Sequence, residues 1–302
     1  MNKNIFFTAL ISAGSLTFTL AQGGPDTNKL DENQKKKGFW METIGGVIYQ
    51  GYYENGKREG NWLSYHQGTL LLSTLEFYKN GMRNGISIVL DKNGNFIKEE
   101  YFVNDTLNGP SKYYYDNARL KYLNTYKMGK LHGLKKTCYQ DGQPQEEANY
   151  ANGVKHGTAR WYFNGGLLMS EYNYVNGIQE GMQKNYYKSG KLQSEVMVKN
   201  GQYEGEYREY WESGSIKATV MFVKGKRQGL YKMVSEDGKI SLITVNYKDD
   251  LQEGEYKELY PSGKPKLIGK YKAGKKEGVW TEYNAEGKLT KTTYKNDQPV
   301  DK

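Results

Sequence analysis

The constraint that decides this fold is a period of about 24 residues. Residues 177–201 read GIQEGMQKNYYKSGKLQSEVMVKNG, and the same skeleton returns along nearly the whole chain. Ten full copies begin at Gly56, Gly81, Asp105, Gly129, Gly153, Gly177, Gly201, Gly225, Asp250 and Gly274. A second glycine follows four residues later in every copy: Gly60, Gly85, Gly109, Gly133, Gly157, Gly181, Gly205, Gly229, Gly254 and Gly278. A third glycine closes the motif, with Ala118 standing in its place in one copy. A repeat this short cannot bury its own core, so copies must stack in a quasi-one-dimensional array.

Within one copy the chemistry is that of a hairpin. Asn-Gly pairs such as Asn55-Gly56 and Asn176-Gly177 mark one tight reversal, because both residues tolerate positive φ. Asp105 and Asp250 replace that glycine, and Asp also enters the left-handed region. Ser189-Gly190 and Asp237-Gly238 mark the other reversal. The ten second glycines are expected to serve turns as well. Between the reversals, Leu192, Ser194, Val196 and Val198 alternate with Lys191, Gln193, Glu195 and Met197, the period of a strand with one apolar face. In the other run, aromatics fall two and five residues after the second glycine: Trp62 and Tyr65, Tyr207 and Tyr210, Trp280 and Tyr283. Two and five have opposite parity, so they occupy opposite faces unless a bulge shifts the phase. These six are the candidate binding or packing aromatics.

With 28 Tyr and 36 Gly against 6 Pro, the composition suits short strands and tight turns. The expected fold is all-β: an elongated antiparallel meander or solenoid of about ten 24-residue hairpins, hence about twenty strands. A degenerate copy with Trp40 and Gly46 precedes them. Residues 1–21 read as a cleaved secretory signal peptide, with Lys3 before an apolar run and small residues at the cleavage point. Residues 22–37 read as a flexible polar linker, 38–297 as the array and 298–302 as a polar tail. The product is therefore expected outside the cytoplasm: periplasmic, associated with the outer membrane, or secreted.

No catalytic constellation, cofactor loop or metal set stands out, and the chain reads as a non-enzyme. Cys138, the single cysteine, occupies the sheet position held elsewhere by Tyr186, Tyr210 or Tyr283, and reads as a buried inert thiol. His132 and His156 share one motif position and suggest a metal pair. Other copies hold Asn84, Glu180 or Gln228 there, which marks a polar turn position instead. Glu204, Glu253 and Glu277 form a partial acidic row at that position, expected to be solvated. The charge of +9 arises from 43 Lys and Arg against 34 Asp and Glu. Basic residues among aromatics suit single-stranded nucleic acid, yet export argues against that partner. An anionic envelope lipid or glycan fits a basic exported surface better.

Copies such as residues 205–214 (GEYREYWESG) and 278–287 (GVWTEYNAEG) resemble the MORN-repeat variant, and residues 38–295 as a whole resemble the YwqK family of toxin–antitoxin antitoxins. That resemblance implies a hairpin-repeat fold and neutralisation of a toxin by direct binding. MORN repeats are also linked with lipid contact and scaffolding. The reading is an exported, non-catalytic binding or scaffold surface for a protein partner, with an antitoxin or immunity protein as the alternative.

Overall fold

The computed structural model describes residues 26–300; the stretch expected as a signal peptide, the start of the expected linker and the last two residues lie outside them. Among the described residues there are 26 strands and no helix. Two compact units divide the chain, Met1–Lys130 and Leu131–Lys302.

In the first unit each strand pairs antiparallel with its neighbour in sequence, a meander from Lys36–Ile44 and Val47–Glu54 to Gly109–Tyr114 and Leu120–Lys127. Part of the stretch expected as a tether is sheet. Lys29–Leu30 pairs with Lys36–Ile44, and the Asp31 carboxylate closes the turn by accepting the Asn33 and Lys35 backbone N–H groups. The second unit repeats the scheme from Lys130–Cys138 and Pro144–Ala151 to Leu289–Lys295. The stretch expected as a polar tail opens with a short strand, Gln298–Pro299, paired with Leu289–Lys295. The count exceeds twenty because the degenerate copy contributes Lys36–Ile44 and Val47–Glu54, a short strand is added at each end, and two strands are interrupted just before Gly109 and Gly181.

The two reversals differ. At the first, both central residues are left-handed: Asn55 at φ 50° and Gly56 at 77°, Asn104 at 47° and Asp105 at 61°, Asp249 at 50° and Asp250 at 70°. That is the type I′ requirement, whose twist matches the flanking strands. The second reversal is a three-residue loop closed by a left-handed residue. Tyr187 N–H donates to the Lys191 carbonyl, and Gly190 N–H donates to Tyr187. Ala118 occupies the left-handed position at φ 61°. In the copies beginning at Gly56 and Gly225 this loop is one residue longer, spanning His66 to Leu71 and Ser235 to Ile240.

The second glycines do not sit at a chain reversal. Each lies within or at the start of a strand, as Gly60 does in Lys57–Tyr65 and Gly278 in Lys275–Tyr283. All ten have positive φ, from 68° at Gly60 to 143° at Gly85. The pairing explains this. Glu59 faces Tyr52 and Leu63 faces Gln50, so three residues, Gly60 to Trp62, stand against Gly51 alone. Gly278 to Trp280 likewise stand against Gly269. The glycine therefore supplies the left-handed step of a bulge. The sequence motif is one reversal, a bulge four residues on, then the other reversal.

Candidate binding faces

Each copy presents two faces, and the parity question is answered by opposite sides. Face A carries the residue two after the second glycine. Trp62 lies over Gly51 and meets Tyr53 and Tyr78 edge to face, with centroids at 4.9 and 6.5 Å. Its indole N–H donates to the Tyr52 carbonyl at 3.1 Å, and the Arg58 guanidinium stacks on the ring at 4.2 Å. Trp280 repeats the arrangement over Gly269, with Tyr271, Tyr294 and Lys276. Both tryptophans are 2% exposed. Such aromatic and cation–π contacts are worth about 0.5–1.5 kcal/mol each. Part of the basic excess is thus held in ring stacks.

Face B carries the residue five after the second glycine. Tyr65, also 2% exposed, receives the Gln50 amide N–H on its hydroxyl at 2.8 Å. Tyr210 donates to Glu195 at 2.8 Å. Tyr207, Tyr210 and Tyr283 are half-buried. Trp62, Tyr65 and Trp280 are therefore packing residues. The exposed aromatics lie elsewhere on face B of the first unit: Tyr52, 58% exposed, and Phe77, 38% exposed. Both are four residues before an Asn-Gly glycine, a position that comparison of copies would have flagged by its parity.

The position just before the second glycine has a specific task. Asn200 N–H donates to the Glu180 carboxylate, Lys224 N–H to Glu204, and Ala273 N–H to Glu253, at 2.7–2.8 Å. Asn296 N–H donates to Glu277 at 3.1 Å, and Asn176 N–H reaches His156 Nδ1 at 3.4 Å. Each side chain caps the first left-handed residue of the next copy's reversal. The expected solvated acidic row is instead a row of turn caps, and the His position belongs to it. His132 Nδ1 is buried without a partner. Backbone bonds reinforce the stacking: Gly177 N–H donates to Lys155, and Gly201 N–H to Gln179. At the other reversal, the hydroxyls of Tyr139, Tyr187 and Tyr260 donate to the carbonyls of Tyr162, Tyr210 and Tyr283 one copy on.

Cys138 is 1% exposed, and burial pushes its thiol up, which lowers the thiolate fraction that nucleophilic chemistry needs. No group of three metal-ligating side chains forms among the described residues, and no helix there is long and apolar enough to cross a membrane.

Six stretches, residues 131–152, 155–176, 179–200, 203–224, 252–273 and 276–296, match the family model described as MORN repeat variant. These six are MORN-variant repeats. All lie in the second unit. Outside the matches, the reversals at Asn80-Gly81 and Asn104-Asp105 have the same left-handed pair and the same backward bond, to Arg58 and Arg83. The copy between residues 224 and 252, outside the matches, is the one with the lengthened loop Ser235 to Ile240. No curated protein matches the chain. Among solved structures 57 chains match. One is a mutant of the Photorhabdus luminescens Tc holotoxin pore, 13% identical at a TM-score of 0.16, covering 82% of this chain. This chain spans 17% of that chain's length, and a score so low establishes no common fold.

On face B of the second unit the MORN-variant repeats carry an ion-pair ladder. Lys136 meets Glu147 at 2.9 Å, Arg160 meets Glu171 at 2.6 Å, and Arg208 meets Glu195 at 3.8 Å. Tyr162 donates to Glu147 at 3.0 Å; burial and that carboxylate push its phenol up to about 12.

Proposed function

We propose that this chain is an exported, non-catalytic repeat protein that binds a protein partner along face B. One observation carries the reading. In the second unit the Trp280 ring is consumed in packing on face A, whereas face B leaves the apolar side chains of Met197, Met221 and Leu230 in water. Rimmed by charged residues, such rows are what repeat arrays use for partners. The MORN-variant match supports a scaffold or binding role over an enzymatic one. Export rests on the apolar N-terminal run followed by small residues.

The test is affinity capture from the native host with residues 22–302, read by mass spectrometry. One stoichiometric protein supports the proposal; envelope lipid, glycan or many substoichiometric proteins reject it. A second reading, direct neutralisation of a protein toxin, draws on the resemblance of the repeats to YwqK antitoxins. Loss of that toxin's activity on mixing at equimolar ratio separates it from a passive scaffold.

A further inference from the structure

The ladder on face B of the second unit runs strand by strand in direct register: Lys136, Glu147, Arg160, Glu171, Lys184, Glu195, Arg208. Base and acid alternate without a break. Beyond Arg208 the acids stop. The register continues Arg208, Thr219, Lys232, Thr244, Lys257, so threonines stand where glutamates stood. Lys232 and Lys257 are exposed and join no ion pair among the described residues.

Beside Lys232 a hollow of about 440 Å³ is lined by Ile216, Thr219 and Val234. Ile216 in its lining is 45% exposed. Glu236 and Asp237 also line the hollow. An occupant that is anionic throughout, such as a polyphosphate or an anionic lipid surface, would meet those carboxylates. An occupant with separated acids and an apolar side chain between them would not.

Resting on the proposal of a protein partner, we infer that Lys232 and Lys257 receive two carboxylates of an extended acidic–apolar segment of that partner. Its glutamates or aspartates supply the acids that Thr219 and Thr244 omit, and its apolar residue enters the hollow against Ile216 and Val234. The spacing is set by the sheet. The two lysines lie on strands Lys226–Val234 and Leu251–Leu259, with Ser241–Lys248 between them. Two strand spacings are about 9.6 Å; a segment in the polyproline II conformation rises about 3.1 Å per residue and returns every third side chain to the same side, so the carboxylates belong three residues apart.

The experiment uses residues 22–302 and a fluorescein-labelled 15-residue peptide repeating Glu-Leu-Thr, read by anisotropy at low salt. A peptide of the same composition with its glutamates contiguous is the control. The repeating peptide binds the wild type, and binds at least about threefold more tightly than the control. Lys232→Gln with Lys257→Gln weakens it about tenfold, the scale of two exposed charge pairs. Lys136→Gln, which removes a cation already paired with Glu147, changes it less than about twofold. Unchanged melting temperatures show that the variants are folded. Binding by the double variant within twofold of wild type overturns the inference. So does absence of peptide binding, or binding of inorganic polyphosphate or phosphatidylglycerol vesicles in its place. If the double variant still captures a stoichiometric host protein, this inference fails while the proposed function stands; if the wild type captures none, the proposed function fails.

Discussion

Trp62 occupies the space that a side chain on Gly51 would need: a Cβ built on Gly51 would lie 2.5 Å from the indole Cδ2 and Cε2 atoms. The two positions are complementary along the chain. Gly269 faces Trp280, Val245 faces Tyr256, and Ala148 faces Ala159. Where one position holds an aromatic ring the other is small or β-branched, whereas in the Ala148–Ala159 copy both are small.

Gly51→Val should therefore destabilise the first unit by about 1–3 kcal/mol, the usual cost of overpacking. Trp62→Tyr should recover part of that loss when combined with it, because valine facing tyrosine is the pair at Val245 and Tyr256. Urea denaturation of the two single variants and the double variant measures the coupling. Additive losses would mean that the indole and the glycine are not in contact.

Ala118 holds a left-handed backbone at φ 61° where the other copies have glycine. The strain on an L-residue there is about 1–2 kcal/mol. Ala118→Gly should raise stability by about 1 kcal/mol, after the flexibility that glycine adds to the unfolded chain. A lower denaturation midpoint would contradict the geometry at this loop.

Glu204 caps the Lys224 N–H at the next reversal. Glu204→Ala should cost about 1 kcal/mol, the scale of an N–H to carboxylate cap. The loss should be local. Amide exchange at Lys224 should accelerate while that at Val196 and Val220 stays near wild type. Uniform acceleration across the repeats would point to a packing role instead.

Burial and Glu147 hold the Tyr162 phenol at about 12, above its ordinary 10. A raised folded value means that this contribution to stability is complete below the unfolded value near 10. It is lost as pH rises from about 10 through 12. Tyr162→Phe should flatten the fall in melting temperature across that alkaline window. An unaltered slope would remove the Tyr162–Glu147 bond from the account.

Much of the fold was legible in the sequence, because reversal chemistry is local. Asn55-Gly56, Asp105 and the substitution at Ala118 all mark left-handed positions, and the structure has them there. The second glycines carry the signal of a turn residue in sequence because positive φ serves a bulge as well as a reversal; only the register of Glu59 and Leu63 against Tyr52 and Gln50 tells the two apart. The capping by Glu204, Glu253 and Glu277 was hidden because its partner lies about 20 residues on, across the stack. The pairing of Lys29–Leu30 was hidden by its polar composition. The ladder from Lys136 to Arg208 was visible in principle, in cations three after each second glycine and acids six before the next first glycine, but it has meaning only once register is known.

The central claim is that face B binds a protein. The most direct measurement is hydrogen–deuterium exchange on residues 22–302 with and without the stoichiometric protein captured from the host. The account predicts protection of the strands bearing Met221, Lys232 and Lys257, lost on substituting both lysines by glutamate, with the reversal capped by Glu180 unchanged. Protection confined to the reversals would contradict it; protection of these strands that survives the lysine changes would overturn only the role given to Lys232 and Lys257.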